Sequence, residues 1–413
     1  KKFMVENKKE YLFNILIFLP YLSFFLGFYL DENSAGAGSL KGDLEWIITN
    51  IRIFENNNLF TAISHPDLYG NRTPLVYILH ELFNPFFHNI DHYRVSVFCI
   101  SLFGPVAFYY CLKQKFKNID NKLLIFISSI VLLSPYYRTS SYWALNENYG
   151  LITVLLSFLF LQYFLENNKN NYTSYLQLFL TILFSSLCVY FDQKLIFVPI
   201  ICFFRVLLLK KNIQYKVYMI ISYLLLSLPF LYLVIFLWDG IVPSKSQEFN
   251  PNAITSLSRL NNLYFYHIGY ATSMIAFYIL PFLFLKNKNF FVLIKDFFKN
   301  HNNYFKISLC FIYIFFIFFF LDFKEYTIEE YFVGLGYVHK TSLLLFDNLL
   351  FQEFFTYLAF IISWIIILIY IDNNTKDFLI ILYFYFLSLV TWPLMQEYFD
   401  PIIILLCFVA LKS

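Results

Sequence analysis

The residues able to do chemistry sit in a few polar islands of a greasy chain. The first island, Leu30 to Arg94, holds eight of the 27 carboxylates: Asp31, Glu32, Asp43, Glu45, Glu55, Asp67, Glu81 and Asp91. A polar connection of this length between apolar runs is where function concentrates. Asp43 is the first candidate for a general base, because a carboxylate within about 2.6–3.2 Å of a hydroxyl or amine can take its proton. It also suits the N-cap of the helix that follows, and the two roles are compatible. Glu147, in Asn146-Glu147-Asn148, is the second candidate acid and equally a helix-start carboxylate.

Cations recur in the other islands. Arg138 follows Ser134-Pro135-Tyr136-Tyr137, and His339 and Lys340 follow Gly334-Leu335-Gly336-Tyr337. Lys194 closes the turn Asp192-Gln193-Lys194, which also suits a local ion pair. Such groups could hold an anionic phosphate, although an interfacial Arg also snorkels without any ligand. Gln396, Glu397 and Tyr398 precede the last apolar run, and His65 and His80 lie in the first island. A lone His is more often a structural hydrogen-bonder than a ligand. No HxH spacing is present, and no metal is expected. The six cysteines fall inside apolar runs without CxxC spacing and read as small core residues.

The elements that must position these groups follow from composition. Hydrophobic residues make up 59%, charged residues 14%, and the mean hydropathy is +0.61, against roughly 25% charge in a soluble domain. This predicts an all-α polytopic membrane protein. A net charge of +3 without a Lys/Arg-dense helix gives no reason to expect nucleic acid.

Apolar runs bounded by charge predict about twelve spans (11–13), near 11–30, 94–112, 122–137, 149–165, 172–191, 195–209, 217–238, 264–285, 306–322, 350–371, 378–393 and 400–411. The first is long enough to be a retained helix, with no small-residue cleavage site after it. Lys-rich segments such as Lys113 to Lys122 and Lys286 to Lys299 alternate with carboxylate-rich ones. The positive-inside rule then places both termini in the cytoplasm and the carboxylate-rich connections outside. The expected organisation is a single transmembrane domain over 1–413, with a first outer loop at 31–93 and further outer loops at 238–262 and 322–349.

Within the first loop, Leu44, Ile47, Ile48, Ile51 and Phe54 recur at helical spacing and predict an amphipathic helix on the membrane surface or on the bundle. Gly42 and Asp43 open it and Asn56 to Asn58 close it. A second short helix is predicted from Pro74 to Pro85, with entry into the next span at Arg94.

These pieces, in this order, resemble a known family. An Asp opening an interfacial helix after the first span, a His65-Pro66, the stretch Tyr69-Gly70-Asn71-Arg72-Thr73-Pro74-Leu75-Val76-Tyr77 and an Arg at the second span are similar to the first outer loop of GT-C glycosyltransferases. The branch is the one with protein O-mannosyltransferases, aminoarabinose transferases and polyprenyl-phosphate-sugar glucosyl- and mannosyltransferases. SPYYRTSSYWALNENYGL at 134–151 is similar to the family's next outer connection, and WDGIVP (238–243) and QEYFDP (396–401) resemble glucosyltransferase-like members. The first 200 residues carry most of the likeness.

The resemblance implies a GT-C type fold and an inverting transfer of sugar from a polyprenyl phosphate to an acceptor on the outer face. It implies catalytic roles for Asp43 and Glu147, donor-phosphate contacts from Arg138, Lys194, His339 and Lys340, and substrate contacts from Glu45, His65, Arg72, Tyr77, Gln396 and Glu397. The family's base is often an Asp-Glu pair, so Asp31-Glu32 stands as the alternative to Asp43. The phosphate monoester leaving group has a second pKa near 6 and departs without a general acid, given cations to hold it. Glycosidases, by contrast, use paired carboxylates.

The implied partners are membrane lipids, the polyprenyl-phosphate donor and a small or lipid-linked glycan acceptor, with no cofactor and no nucleic acid. The expected location is a bacterial inner membrane with a periplasmic site. The competing classes are a twelve-span secondary transporter, against which the absence of an internal repeat and the large asymmetric outer loop argue, and a lipid-linked polysaccharide polymerase or ligase, which carries Arg-rich outer loops. A scaffolding membrane protein is the remaining alternative.

Overall fold

The computed structural model describes residues 2–32, 40–70, 72–167, 171–209, 212–240, 242–249, 263–283, 290–299, 304–320, 336–371, 375–390, 394 and 399. Among these residues helices are the only regular secondary structure. Chain contacts divide it into two compact units, one formed mainly by residues 1–34 and 38–255 and the other mainly by 256–412.

The first unit contains α1 (Lys2–Tyr29), α2 (Leu40–Asn56), α3 (Leu59–Ile63), α4 (Leu75–Phe83), α5 (Ile90–Ser101), α6 (Phe103–Lys115), α7 (Asn121–Ser129), α8 (Pro135–Tyr142), α9 (Glu147–Glu166), α10 (Tyr172–Phe191), α11 (Phe197–Leu207), α12 (Ile213–Tyr232) and α13 (Ser244–Phe249). Short polar residues start these helices, because their side-chain oxygens accept from otherwise unpaired N–H groups of the first turn. Asn58 caps α3, Asn89 caps α5, Asp120 caps α7, Ser134 caps α8, Asn171 caps α10 and Asn212 caps α12.

Among the described residues, five helical segments are long and apolar enough to cross a membrane: Ile90–Lys115, Glu147–Glu166, Tyr172–Phe191, Ile213–Leu237 and Leu349–Tyr370. Leu224, Leu225 and Leu228 on α12 are exposed, a surface that suits lipid and would be a liability in water.

Several expected boundaries move. The run expected at 94–112 begins earlier, at Ile90 behind its Asn89 cap, so the chain enters this span before Arg94. The run expected at 122–137 stops as a 3-10 turn at Ile130–Leu133, because Ser134-Pro135 opens the separate helix α8. The run expected at 195–209 is an α-helix of 11 residues, Phe197–Leu207, about 16 Å long at 1.5 Å per residue and short of the roughly 30 Å hydrocarbon core. The run at 400–411 lies outside the described residues.

The helix of the polar stretch between α1 and α5 packs against the ends of neighbouring helices and starts at Leu40. Asp43 is therefore a first-turn residue and not the N-cap. Leu44, Ile47, Ile48, Ile51 and Phe54 are all buried, packed with Leu68, Tyr77 and Phe87 of the loop and with Val97, Ala144, Leu145, Leu233 and Trp238 from the ends of other helices. Burying five such side chains contributes on the order of 8–15 kcal/mol. Trp238 at the end of the α12 segment donates its indole N–H to Ile63 O at 3.0 Å. The loop is thus a roof pinned to the ends of α5, α9 and α12.

Buried polar contacts fix the helices beneath it. Asn148 Nδ2 donates to Ser101 Oγ at 2.7 Å and Ser141 Oγ at 2.8 Å, joining α9 to α5 and α8. Within α12, Pro229 lacks an N–H, and the hydroxyl of Tyr190 enters the adjacent helical ladder: it donates to Leu226 O at 2.6 Å and accepts from Phe230 N at 3.1 Å. A side chain inserted in the ladder beside a proline bends a helix, and the five residues that follow form a π-turn.

The second unit contains α14 (His267–Leu283), α15 (Phe290–Lys299), α16 (Tyr304–Phe320), α17 (Gly336–Leu345), α18 (Leu349–Tyr370) and α19 (Thr375–Val390). Here α14 packs on α17, α18 and α19. His267 Nδ1 lies 2.9 Å from Ser388 O, and the hydroxyls of Thr272 and Tyr385 are 2.7 Å apart.

Candidate functional site

Four distant pieces of the first unit bring ionisable groups together under the roof. Asp43 comes from the first turn of α2, Arg72 from a bend before α4, Glu147 from the first position of α9 and Asp192 from the end of α10. Arg72 Nη2 donates to Glu147 Oε1 at 2.8 Å, and its Nε lies 3.6 Å from Asp192 Oδ1. The three side chains are only 16%, 13% and 6% exposed, so their interactions are little screened by water.

Each member is held locally. Asp192 ends α10 in an extended conformation, and its carboxylate accepts from Lys194 N at 3.1 Å, opening the 3-10 turn Gln193–Ile196. Gly150 lets α9 approach that turn: a Cβ there would lie 2.8 Å from Leu195 Cδ1 and 3.6 Å from Asp192 Cβ. Arg72 is set by its neighbours. The Thr73 hydroxyl donates to Tyr190 O, and Gly70 exchanges bonds with Ser246 on α13, its N–H donating at 2.8 Å and its O accepting at 2.9 Å. Gly70 has φ +152°, a region that only glycine enters freely, and a Cβ would meet the Tyr77 hydroxyl at 3.0 Å. Asn50 of α2 grips Tyr69 from both sides: its Nδ2 donates to Tyr69 O and its Oδ1 accepts from Tyr69 N at 3.2 Å.

The electrostatics single out Asp43. Its carboxyl is half-buried, and no ion pair or hydrogen bond to it is formed among the described residues. Burial pushes its pKa up to about 6, the negative charge of Glu147 pushes the same way, and Arg72 pulls it back. A carboxylate poised there accepts a proton near neutral pH. Glu147 Oε2 and Asn146 Oδ1 are buried and find no hydrogen-bond partner among the described residues, two acceptors whose demand is left unmet. Tyr77 is buried nearby, and burial raises its pKa.

The remaining expected residues fall elsewhere. Asp31 pairs with Arg94 at 2.5 Å, and Glu32 pairs with Arg138, so the alternative acid pair is held by two arginines. Arg138 is buried, and all five of its donors are engaged: Nε and Nη2 by Glu32, Nη1 by Ser23 Oγ and Leu132 O, and Nη2 also by Ser23 O. That geometry makes Arg138 a pin between α1 and α8. Glu45, two positions from Asp43 and so on another face of α2, is exposed. His65 Nδ1 accepts from Asp67 N at 3.1 Å in a loop turn. Lys194 adjoins Asp192 in the 3-10 turn. His339 and Lys340 lie on α17 of the second unit, where burial lowers the pKa of each. Gln396 and Glu397 lie outside the described residues.

Asn50, Asn146 and Ser246 complete the site without having been singled out as its members. Asn50 carried a signal: it stands seven residues from Asp43, on the apolar face of an amphipathic helix, where an amide needs a buried partner. Among the described residues no three His, Cys, Asp or Glu side chains are placed to hold a metal ion, and Arg72 stands between Glu147 and Asp192.

No protein-family model matches the chain, and neither the curated proteins nor the solved structures include a match to it. The class defined by the fold is therefore the coarse one: an all-α chain with several helices long and apolar enough to cross a membrane.

Proposed function

We propose that the chain is an integral membrane glycosyltransferase of the GT-C type. It moves a sugar from a polyprenyl-phosphate donor to a small or lipid-linked acceptor on the outer face of the membrane, with about twelve spans and cytoplasmic termini. The observation that carries this reading is Asp43: a half-buried carboxyl poised near pH 6 beside Glu147 and Arg72, in a charged cluster formed by α2, the segment before α4 and the start of α9.

In this mechanism Asp43 takes the proton of the acceptor hydroxyl or amine as that group attacks the anomeric carbon. The bond to the phosphate oxygen breaks on the opposite face, and the configuration inverts. Glu147 and Asn146 accept hydrogen bonds from sugar or acceptor hydroxyls and orient them. Arg72 holds Glu147 and Asp192 apart and moderates the charge on Asp43. The cluster sets three carboxylates against one guanidinium, so the donor phosphate is held by cations outside it, with Lys194 the adjacent candidate.

The test is transfer of radiolabelled sugar from a panel of polyprenyl-phosphate sugars to membrane-extract lipids, using the wild type, Asp43→Asn and Glu147→Gln. Transfer by the wild type that vanishes in a folded Asp43→Asn protein is the expected result. No transfer from any donor, together with substrate-dependent flux in proteoliposomes, would replace this reading with a transporter.

A further inference from the structure

One residue stands between the bend of α12 and the carboxylate cluster. Tyr190 lies in the last turn of α10, just ahead of Asp192, and both its backbone and its side chain are engaged. Its carbonyl falls where a helix runs out of intrahelical donors, and it accepts from the buried Thr73 hydroxyl, next in sequence to Arg72. Its hydroxyl takes the place of one rung of α12. Phe230 N–H, whose ordinary helical acceptor is Leu226 O, donates to the Tyr190 oxygen at 3.1 Å, and the Tyr190 O–H donates on to Leu226 O at 2.6 Å. The Tyr190 and Phe230 rings meet edge to face with centroids 5.9 Å apart.

The bend that Tyr190 occupies reaches the site by a second route. Pro229 supplies no N–H, and the π-turn at Leu233–Leu237 is closed by Trp238 N donating to Leu233 O at 3.0 Å. Such turns inside helices recur at functional sites. The chain that leaves the turn is then fastened twice to the stretch ahead of α4, by the Trp238 indole on Ile63 O and by Ser246 on Gly70. Arg72 therefore sits between two clamps, at Gly70 and at Thr73, and both lead back to α12. We propose that Tyr190 is a positioning residue: it couples the bend of α12 to the segment carrying Arg72, so that α12 fixes where the guanidinium stands between Glu147 and Asp192. The inference takes from the proposed transfer only the role of Asp43 as base, and the coupling itself rests on these bonds.

Asp43 reports the position of Arg72. Among the described residues the charged groups acting on it are Glu147 from α9, which raises its pKa, and Arg72, which lowers it. Displacing the guanidinium therefore moves the Asp43 midpoint above about 6. Infrared titration of the full chain in phosphatidylcholine nanodiscs reads that midpoint from the protonated carboxyl band that Asp43→Asn removes. Tyr190→Phe keeps the ring and the carbonyl and lets Phe230 N–H return to Leu226 O. It is expected to raise the midpoint by about one pH unit, the low end of what an opposite charge contributes, and to add nothing in an Arg72→Leu background. Thr73→Val breaks the other end and is expected to give the same rise, while Thr73→Ser keeps the hydroxyl and titrates as wild type. Tyr223→Phe is the control. It removes another hydroxyl contact between α10 and α12, with Ser185 at 2.8 Å, that lies ahead of the bend, and the midpoint is expected to stay in place.

An unchanged midpoint in Tyr190→Phe, an equal rise in Tyr223→Phe, or a rise that adds to that of Arg72→Leu would overturn the coupling and leave Tyr190 a packing residue. If Tyr190→Phe does not fold, Thr73→Val decides, and a wild-type midpoint there overturns the coupling in the same way. The titration needs no sugar transfer, so the two readings fail separately. A raised midpoint without transfer from any donor keeps the coupling and removes the transferase, while transfer with an unmoved midpoint keeps the transferase and removes the coupling. Where both hold, the acid limb of kcat/KM in Tyr190→Phe moves to higher pH by the same amount.

Discussion

Arg72 and Glu147, 75 residues apart in the chain, meet at 2.8 Å, and Asp192 approaches the same guanidinium at 3.6 Å. This contact joins the segment before α4 to the start of α9 and the end of α10. It also sets the charge that Asp43 experiences, from which the pH behaviour follows.

Activity limited by Asp43 acting as base rises with pH and levels above about pH 6, falling about tenfold per unit below it. Because Glu147 raises the pKa of Asp43, Glu147→Gln moves this limb to lower pH. Arg72 lowers it, so Arg72→Leu moves the limb to higher pH. Profiles of kcat/KM for the three proteins check both signs, and identical limbs would remove Asp43 as the base.

Stability runs against activity at this residue. The carboxyl of Asp43 titrates at 3.8 when unperturbed and at about 6 when folded. The fold therefore favours the protonated form, and that contribution is complete below about pH 4 and lost as pH rises through 6. Asp43→Asn removes the burial of charge, so the variant is expected to melt higher than wild type at pH 8 and alike at pH 4. A lower melting temperature at pH 8 would mean that ionised Asp43 is stabilised by a contact absent from this account.

Removing Arg72 leaves Glu147 and Asp192 buried without their shared partner. Arg72→Ala is expected to cost roughly 3–5 kcal/mol, and the double variant Arg72→Ala/Glu147→Gln to recover part of it. Lysine at this position makes a point contact in place of a fork and restores little. Denaturation in detergent, read as a double-mutant cycle, measures the coupling, and strict additivity would show that the two side chains are independent.

The segment before Arg72 is clipped at Gly70. Gly70→Ala forces a side chain into φ +152° against the Tyr77 hydroxyl and is expected to cost roughly 1–3 kcal/mol. Ser246→Ala removes both bonds to Gly70 and is expected to raise KM. Neighbouring Lys245, paired with the well-exposed Asp67 at 2.8 Å, should be silent in the same assay, since exposed pairs contribute little. The pair of alanine variants separates a positioning clip from a general effect of α13.

Arg138 offers a clean contrast with Arg72. Its donors are all engaged by Glu32, Ser23 and Leu132, so Arg138→Ala should cost at least about 2 kcal/mol with an unchanged KM for the donor in whatever protein folds. A selective rise in KM with stability intact would return Arg138 to the donor phosphate.

Local sequence signals determined several elements without help from tertiary contacts, although not every boundary. The stripe from Leu44 to Phe54 fixed α2 and its buried face, and Pro74 fixed the start of α4, since helical periodicity and proline geometry act within a few residues. Asp43, Arg72, Tyr77 and Glu147 were also legible as chemically capable residues in polar islands.

Which of them meet was decided by packing alone. Arg138 and Arg72 look alike in sequence, yet one is consumed by Glu32 and the other gathers Glu147 and Asp192, because the roof anchors at Gly70, Thr73 and Trp238 carry Arg72 to the ends of α9 and α10. Likewise Asp31, Glu32 and Asp43 are equivalent acids in the sequence. Only the fold places arginines against the first two and leaves Asp43 half-buried beside Glu147, because a carboxylate's pKa is set by the charges and solvent that surround it in space, and sequence spacing carries no information about either.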